Sequence, residues 1–465
     1  MKLGCFQLLK LTGFSKLILD INVFSLLNVF KFFFFSKTVT PSLLSCSKKI
    51  DLTIDIEQLK NDGVIVLEKK KTLKIANDEK ALISKINLEN PVNLNNWKHP
   101  NFNFQNQVPH TNFDGNFSII KKAYKFKKSK ENTYRKNIIK INNKIVYVDD
   151  FSNLYVLDED LNLITKFQIY KKKLFKKYSL KFSITSNDNF VYIADNLGSV
   201  MAFDLINLKM AWKTELGVPL LSNMAFYKKN LFVTNSNGKI FSLSSLNGKV
   251  NWSYETGSAG TSSHKAYQLV IANDKLIFSN DFANIYCIDL KKQNLFWRLT
   301  LERKGNYSDV SFLELSDLVI ENNKLFLSSN FGSILKVDIE TGKNIWSNTS
   351  SSDILPIINK NTVVLVNKNG IVNIFDKVSG EIIFQKNLFE ILKSNKIKLK
   401  NTEVNNMFFA SNVIYVITNS GFIFQINALD LKAITYFKTS KTLKSNLVMS
   451  DGSIYFISNN KIYKI

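Results

Sequence analysis

Few residues in this sequence are of the types that carry catalysis or bind metal ions. Its 465 residues include only three histidines, His99, His110 and His264. None of them has another histidine, a cysteine or a carboxylate at metal-ligand spacing, and His264 lacks an acidic neighbour to orient it as a base. The sequence also contains no phosphate-binding glycine loop, zinc motif or nucleophile elbow. The histidines therefore predict neither a metal site nor a catalytic residue.

The three cysteines, Cys5, Cys46 and Cys287, are isolated from one another. Because Cys5 falls in a hydrophobic N-terminal segment that we expect to be removed, no disulfide framework or thiolate metal site is expected in the mature chain. Cys287 falls in an apolar strand, where a buried structural thiol is expected rather than a nucleophile. The sequence thus predicts no catalytic residue, no metal and no cofactor.

The elements that must position any functional residue are copies of one small unit. Eight times between residue 145 and the C-terminus, a short apolar strand is followed by a tight turn and a second, alternating strand. Successive turn residues lie 38 to 51 positions apart, the length of a four-stranded propeller blade. This period predicts an all-β chain folded as an eight-bladed β-propeller. The turn residues, of types that tolerate a positive φ, are Asn153, Gly198, Gly238, Asn284, Gly332, Gly370, Gly421 and Asn460.

After the second strand, most copies continue with an acidic or small residue, a turn and a bulky aromatic residue. The fullest copy, at residues 337–346, reads VDIETGKNIW. This pattern resembles the tryptophan-docking motif of the PQQ-type eight-bladed propellers, in which the aromatic residue of one blade packs against its neighbour. The resemblance covers roughly residues 113–465. It implies that docking aromatic residues stand at Trp212, Trp252, Trp297 and Trp346.

The last copy of the unit stops at Ile465 without its outermost strand, which would leave an unpaired sheet edge. The segment at residues 116–126, NFSIIKKAYKF, precedes the first full repeat and has the pattern of a blade's fourth strand. We predict that this N-terminal strand completes the last blade and closes the ring. The alternative is a surface strand with no closing role.

Residues 1–45 are predicted to be an export signal segment. Their apolar stretch is interrupted by Asp20 and Lys31, which argues against a membrane-spanning helix. The sequence LLSC at residues 43–46 resembles the signal-peptidase box of bacterial lipoproteins, and this resemblance implies a lipid on Cys46 and, with Ser47 next to it, sorting to the outer membrane. Residues 46–112 are then interpreted as a lipid-anchored tether, and residues 113–465 as the propeller.

An exported, lipid-bearing eight-bladed propeller without a reactive cluster resembles the outer-membrane protein assembly factor family BamB. Within the tether, Trp97 and His110 resemble a Trp and a His near the mature start of that family, although the two glycines between them are absent here. The resemblance implies a non-enzymatic scaffold subunit of the machinery that inserts β-barrels into the outer membrane. It also implies a location at the periplasmic face of that membrane, with a BamA-like barrel subunit and unfolded barrel proteins as partners.

In the BamB family, one interblade loop binds the central barrel subunit through a Leu-Ser-Leu-Arg-type stretch. The corresponding residues here are Leu220, Leu221, Ser222 and Asn223, with Asn223 near the place of the missing arginine. The resemblance implies that they bind the partner, with the leucines as apolar anchors. The alternative is that they begin an innermost strand and that the leucines are buried.

Two other functions are compatible with this fold. A periplasmic PQQ-dependent dehydrogenase would need a calcium-bound quinone and, in many members, adjacent cysteines, which this sequence lacks. Its recurrent acidic residues, Asp204, Asp289 and Asp338, stand at one position of the repeat, so we interpret them as turn residues rather than calcium ligands. A propeller that binds a sugar or a signalling partner is the other alternative.

The formal net charge of +24 would ordinarily suggest nucleic acid or an anionic membrane as a partner. Only three basic residues are arginines, and the lysines accompany abundant Asn, Ile and Phe, so we predict solvated lysines and no nucleic acid partner. The lysine runs within residues 121–130 and 171–177 remain compatible with anionic lipid head groups.

Overall fold

The computed structural model describes residues 65–66, 71–72, 82–113, 119–127, 137–220, 222–256, 268–280, 284–301, 314–330, 332–439, 443 and 445–465. The predicted export segment, Cys46, Leu221 and His264 lie outside the described residues. The described strands form eight antiparallel blade sheets in a ring, seven of four strands and one of five, which confirms the predicted all-β, eight-bladed propeller.

The four N-terminal strands are short: β1 (Ile65–Val66), β2 (Lys71–Thr72), β3 (Ile119–Ile120) and β4 (Lys122–Lys125). Blade 1 contains β5 (Ile138–Ile141), β6 (Lys144–Val148), β7 (Asn153–Asp158) and β8 (Leu163–Gln168). Blade 2 contains β9 (Phe182–Ser186), β10 (Phe190–Asp195), β11 (Ser199–Asp204) and β12 (Lys209–Glu215). Blade 3 contains β13 (Ala225–Tyr227), β14 (Asn230–Thr234), β15 (Lys239–Ser244) and β16 (Val250–Glu255). Blade 4 contains β17 (Leu269–Ala272), β18 (Lys275–Ser279), β19 (Asn284–Asp289) and β20 (Asn294–Thr300).

Blade 5 contains β21 (Val319–Glu321), β22 (Lys324–Ser329), β23 (Ser333–Asp338) and β24 (Asn344–Thr349). Blade 6 contains β25 (Ile357–Ile358), β26 (Thr362–Val366), β27 (Ile371–Asp376) and β28 (Ile382–Asn387). Blade 7 contains β29 (Val404–Ala410), β30 (Val413–Thr418), β31 (Phe422–Asn427) and β32 (Ile434–Lys438). Blade 8 contains β33 (Val448–Ser450), β34 (Ser453–Ser458) and β35 (Lys461–Lys464) together with β4. Two short helices lie between blades, α1 (Lys172–Lys177) and α2 (Leu388–Ser394).

The first three strands of each blade form the core, and the fourth strand lies at the rim. The strand β6 is buried along nearly its whole length, whereas the outermost strand β16 alternates exposed with half-buried residues. This difference follows from packing, because inner strands are covered on both faces by neighbouring blades. Within the described ranges, no helix has the length and apolar character needed to span a bilayer.

Asparagine-rich turns join the first and second strands of several blades. Asn142 and Asn143 both have a positive φ, as a two-residue type I′ hairpin requires, and so do Asn322 and Asn323. In the predicted turns between the second and third strands, the glycines also have a positive φ, but in blade 1 this conformation falls on Ser152 rather than on the predicted Asn153. The abundance of asparagine therefore has a structural use in the hairpins.

The ring is closed by the N-terminal strand, as predicted. In blade 8, β4 pairs antiparallel with β35, and Lys122 lies opposite Lys464 while Lys125 lies opposite Lys461. Beyond the strand, the backbone N–H of Phe126 donates to the carbonyl oxygen of Asn460 over 3.0 Å. The unpaired edge of the last blade is the physical reason that this pairing could be predicted.

A fully buried lysine holds the seam between blades 8 and 1. Lys140 of β5 has no exposed surface, and its Nζ lies 2.8 Å from the carboxylate of Asp451 and 2.5 Å from that of Glu159. The same Nζ donates to the hydroxyl of Ser450 at 2.8 Å and to the carbonyl of Asn95 at 3.1 Å. These four acceptors compensate for the removal of the ammonium group from water.

The two ends of the ring differ because strands within a blade alternate in direction. One end, which we call the connection face, carries the turns between second and third strands. It also carries the strand ends that the links between blades join. The opposite end, the capped face, carries the turns between first and second and between third and fourth strands. The links comprise residues 126–137, 169–181, 216–224, 256–268, 301–318, 350–356, 388–403 and 439–447.

The capped face is covered by the part of the predicted tether that precedes the closing strand. Residues 94–113, the axial segment, hydrogen-bond to the innermost strands, or the turns that follow them, in six blades. Trp97 and Lys140 exchange two backbone hydrogen bonds, of 2.7 and 3.0 Å. The other backbone pairs are Ser186 with Lys98, Ile271 with Phe104, Ile320 with Gln105, Ser411 with Thr111 and Asp451 with Leu94.

Candidate functional site

Tryptophan side chains join neighbouring blades. Trp212, in the outermost strand of blade 2, donates its indole N–H to the carbonyl oxygen of Ser245 in blade 3 over 3.0 Å. Such a bond satisfies the polar edge of the ring while its apolar faces are packed. Two other tryptophans donate in the same way to the following blade: Trp297 to Ile339 at 2.8 Å and Trp346 to Lys377 at 3.1 Å.

Each of these three indole rings lies on a glycine of the next blade. A Cβ atom built on Gly380 would stand 2.5 Å from the ring of Trp346, far inside van der Waals contact. Gly248 faces Trp212 and Gly342 faces Trp297 at similarly short separations. All three glycines have a positive φ. The Gly in the repeated sequence motif is therefore required both by the turn and by the ring that packs on it.

The fourth predicted docking residue, Trp252, lies between blades 3 and 4 in a different setting. Its ring packs near Phe232 of its own blade, with centroids 5.8 Å apart, and belongs to a core cluster shared with blade 4. At the corresponding turn of blade 4, Gln293 adopts a positive φ of 57° where blades 3, 5 and 6 have glycine. Leu208 also has a positive φ at this position in blade 2, so the turn does not always require glycine.

The recurrent acidic residues close turns, as interpreted from the sequence. The carboxylate of Asp204 accepts backbone N–H groups from Ile206 and Asn207 at 2.8 and 2.9 Å. These amides are the main reason that the pKa of Asp204 lies below its usual range. Equivalent pairs of amide donors reach Asp289, Asp338 and Asp376.

The link between blades 2 and 3 holds the residues predicted to bind a partner. Leu220 is 6% exposed and belongs to the core cluster of blades 2 and 3. Ser222 is also buried, and its hydroxyl accepts the backbone N–H of Thr234 at 2.8 Å. Asn223 is half-buried, and its amide donates to the side chain of Gln268 at 3.3 Å. Of the described residues in this stretch, Asn223 is the one that a partner can reach.

Two histidines lie in the axial segment as structural groups. His110 accepts the backbone N–H of Asn412 at Nε2, at 2.9 Å, so its Nδ1 carries the proton and donates to the carbonyl of Glu89 at 2.8 Å. Its ring stacks on Phe409 with centroids 4.2 Å apart. Burial lowers the pKa of His110, and the carbonyl and carboxylate of Glu89 partly offset this effect.

His99 has no exposed surface, and burial lowers its pKa to about 4 against the opposing charge of Asp317. Its Nδ1 accepts the backbone N–H of Asn101 at 3.3 Å, which requires an unprotonated nitrogen there. A neutral, fully enclosed imidazole with a bonded Nδ1 acts as a packing group and not as a proton carrier at neutral pH.

The buried imidazole predicts a pH-dependent stability. Because the folded pKa of His99 lies near 4 and the unfolded value near 6.5, the unfolded chain binds more protons between these values. Stability should therefore fall as the pH drops through this window, by about 2 kcal/mol between pH 7.5 and pH 5 from this group alone. Urea unfolding at both pH values, for the natural chain and for His99→Gln, measures the contribution. An equal pH dependence in the two proteins would contradict it.

The described residues do not fit a quinone or metal centre. They contain no group of three or more His, Cys, Asp or Glu side chains placed to hold a metal ion. Cys287, the cysteine within the described ranges, is buried, and burial raises the pKa of its thiol to about 12. A neutral, enclosed thiol is neither a nucleophile nor a partner for a stacked cofactor.

A small, mostly apolar cleft lies beside the axial segment. Its polar side chains are asparagines, and the amide of Asn446 already donates to the carbonyls of Pro100 and Ile138, both at 2.9 Å. Asn406 accepts the backbone N–H of Met407. The cleft therefore offers apolar contact and no titratable group. Its apolar lining includes Trp97, Val108, Leu355, Phe408, Leu447 and Met449.

Sequence reasoning missed the packing role of the axial segment and of Lys140. The available signal was a single lysine in the otherwise apolar strand Ile138–Ile141, where a charge must find partners if the strand is innermost. Two of those partners, Ser450 and Asp451, stand more than 300 positions away in blade 8, so no local pattern identifies them.

The chain is similar to known proteins in both sequence pattern and fold. Residues 168–386 match a family model described as outer membrane protein assembly factor BamB, of the PQQ-type repeats. No curated protein matches the sequence. BamB from Moraxella catarrhalis has a similar structure at a TM-score of 0.58 and 14% identity, and the match covers 74% of this chain and 98% of that protein.

Other propellers resemble the chain at comparable levels. Quinohemoprotein alcohol dehydrogenase from Comamonas testosteroni has a TM-score of 0.57 at 10% identity, with 80% of each chain covered. The computationally designed protein Ika8 has a TM-score of 0.53 at 13% identity, covering 72% of this chain and 98% of the design. At these identities the structures share the fold. Together with the family model, they confirm the predicted resemblance to BamB and to the PQQ-type eight-bladed propellers.

Proposed function

We propose that this protein is a non-enzymatic scaffold subunit of the machinery that assembles β-barrel proteins into the outer membrane. It is held at the periplasmic face of that membrane by a lipid on Cys46, and it binds a BamA-like barrel subunit through its interblade links. The observation that carries the proposal is the match of residues 168–386 to the BamB family model, because this stretch includes the link at residues 216–224.

The chemistry of the described residues supports a binding role over a redox role. The acidic residues at the repeat position are occupied by backbone amides, the histidines of the axial segment are neutral structural groups, and Cys287 is enclosed. A rigid ring with these properties can present loops without changing its own shape. It would act by holding its partners in fixed positions relative to one another.

The link between blades 2 and 3 would act as a loop fixed at its base. Leu220 and Ser222 anchor it to the core, and this anchoring reduces the entropy lost when a partner binds. Asn223 is then presented at the connection face. In this arrangement Leu220 positions the loop and does not itself enter the partner.

Unfolded barrel proteins would be bound by strand addition at outermost strands. The chain supplies a precedent, because β2 pairs antiparallel with β32 and becomes a fifth strand of blade 7. Among the described strands, the outermost strands of the other blades end their sheets and leave an edge to which a strand could be added.

A photoreactive residue in place of Asn223 tests the partner in living cells of the host. Irradiation should give a crosslink to an outer-membrane barrel that carries periplasmic repeat domains, identified by mass spectrometry. Asn207 is the matched control, because it is an exposed asparagine of blade 2 at the capped face. Absence of the barrel from the Asn223 crosslinks, or purification of the protein with a bound quinone, would contradict the proposed function.

The lipid is tested by Cys46→Ser. We expect this variant to move from the membrane fraction to the soluble periplasmic fraction, and to lose the mass of the acyl chains, because the anchor requires the thiol. Cys287→Ser is the control for thiol loss elsewhere. An unchanged membrane fraction and mass for Cys46→Ser would show that Cys46 carries no lipid.

A further inference from the structure

The links between blades are not equally charged around the ring. Counted over the sequence between the bounding strands, the four consecutive links from blade 6 to blade 2 contain 17 basic and three acidic residues. The other four contain three basic and five acidic residues. Within the described residues, the first four links contain 11 basic and two acidic residues, and the other four contain no basic and three acidic residues. Because the links join strand ends at the connection face, the described part of that face has a basic half and a weakly acidic half. A genome-wide preference for lysine cannot explain it, since such a preference would act on all eight links.

Six described lysines of the basic half are exposed and can meet a ligand. Between blades 1 and 2, Lys171, Lys172 and Lys173 are exposed, and the described part of this link contains no acidic residue. Between blades 6 and 7, Ile397 and Leu399 pack against the core, and the lysines that alternate with them point outward. None of these six lysines forms an ion pair with another described residue. The outward lysines of the second link are Lys396, Lys398 and Lys400.

Three of the acidic groups near this half are engaged, whereas Glu403 of the link between blades 6 and 7 is exposed. Asp195 is buried and accepts the hydroxyl of Tyr170 at 2.6 Å, and Asp149 is buried among donors that include Asn153. Glu390 forms an ion pair with Lys393 at 2.7 Å. The described basic residues of this half therefore outnumber its acidic residues, so its field is positive.

We propose that the basic half of the connection face binds the head groups of an anionic phospholipid membrane. Sixteen of the 17 basic residues are lysines. Lysine presents a compact, hydrated charge suited to a diffuse anionic surface, whereas nucleic acid recognition favours the planar fork of arginine. The broad distribution of charge also fits a lipid surface better than a discrete acidic peptide. This contact is separate from the proposed lipid on Cys46 and from the partner-binding link, which carries no charged residue.

Competition between two kinds of vesicle tests the proposal. The full chain, with Cys46→Ser in every variant, is equilibrated with dense phosphatidylcholine vesicles and light vesicles containing phosphatidylglycerol, which are then separated by flotation. Any contribution of the N-terminal segment to binding is common to both kinds of vesicle. The ratio of protein bound to the anionic vesicles to protein bound to the phosphatidylcholine vesicles therefore measures the electrostatic preference. The chain should prefer the anionic vesicles at low salt and lose this preference in 0.5 M salt.

Replacing the six lysines by glutamine should lower the anionic preference by about 10⁴-fold, because each lysine close to an anionic surface contributes about fivefold. The control is Lys249→Gln, Lys292→Gln and Lys343→Gln, three exposed lysines of the capped face without an ion pair to a described residue. A further variant replaces only Lys171, Lys172 and Lys173, so that it loses the same number of charges as the control. An equal loss in the control, or no preference in the natural chain, would overturn the proposal, whereas neither outcome affects the crosslink from Asn223.

Discussion

Replacing Tyr124 by proline should lower the free energy of unfolding by about 3 kcal/mol or more. Tyr124 lies opposite Ile462 in the middle of the closing strand, where proline removes a backbone N–H and disturbs the pairing of β4 with β35. The loss extends beyond one hydrogen bond, because β4 joins the two ends of the ring. Denaturant unfolding followed by tryptophan fluorescence and circular dichroism measures it.

Tyr124→Phe is the control for this experiment, since it keeps the backbone and the ring that lies 5.9 Å from Tyr155. It should unfold near the denaturant concentration of the natural chain. If the proline and phenylalanine variants unfolded at the same concentration, the N-terminal strand would not be what holds blade 8 in place.

Gly380→Ala should destabilise the propeller by about 3 kcal/mol, the second large effect that we expect. The added methyl group would stand 2.5 Å from the ring of Trp346, and the alanine would also have to adopt a φ of +76°. The ring cannot move freely, because its N–H donates to the carbonyl of Lys377. Thermal and denaturant unfolding quantify the change.

Gly217→Ala separates the clash from the backbone strain. Gly217 has the same φ of +76°, but a Cβ atom there would have no neighbour within 4 Å. We expect a loss of about 1 kcal/mol from conformational strain alone. Equal destabilisation by the two substitutions would mean that docking of Trp346 on Gly380 contributes nothing to stability.

The parts of the fold that follow from nearest neighbours in sequence could be predicted. A hairpin is determined by alternation and turn residues, so Gly198 or Gly421 identifies its blade without knowledge of the rest of the chain. The closing strand followed from a different argument, namely that an incomplete last blade needs an edge partner. Both arguments need only pattern and counting.

The axial segment could not be predicted in the same way, because its partners are distributed around the ring. Residues such as Asn106 are polar and suggest a solvated linker, yet Asn106 is buried and donates to the carbonyl of Leu318. Burial of a polar side chain becomes understandable only when the distant acceptor is known. The same holds for Lys140, whose acceptors come from both ends of the chain.

The candidate partner link shows a similar division. The sequence located the link by its resemblance, and the structure adds that Leu220 belongs to the core while Asn223 remains accessible. An apolar residue just before an innermost strand is consistent with either an anchor or a binding residue. Only the packing of neighbouring blades distinguishes the two, so the role of the stretch in binding stays a prediction.

The pairing of the first blade strand with the last also fixes an order of events during synthesis. Residues 122–125 are made more than 330 residues before their partners 461–464, so the growing chain carries an unsatisfied strand throughout elongation. Blades 1 to 7 contain all four of their own strands and can form one after another as they emerge. Blade 8 cannot form until the final residues are made. A chain that terminates early would remain an open ring with two unpaired sheet edges.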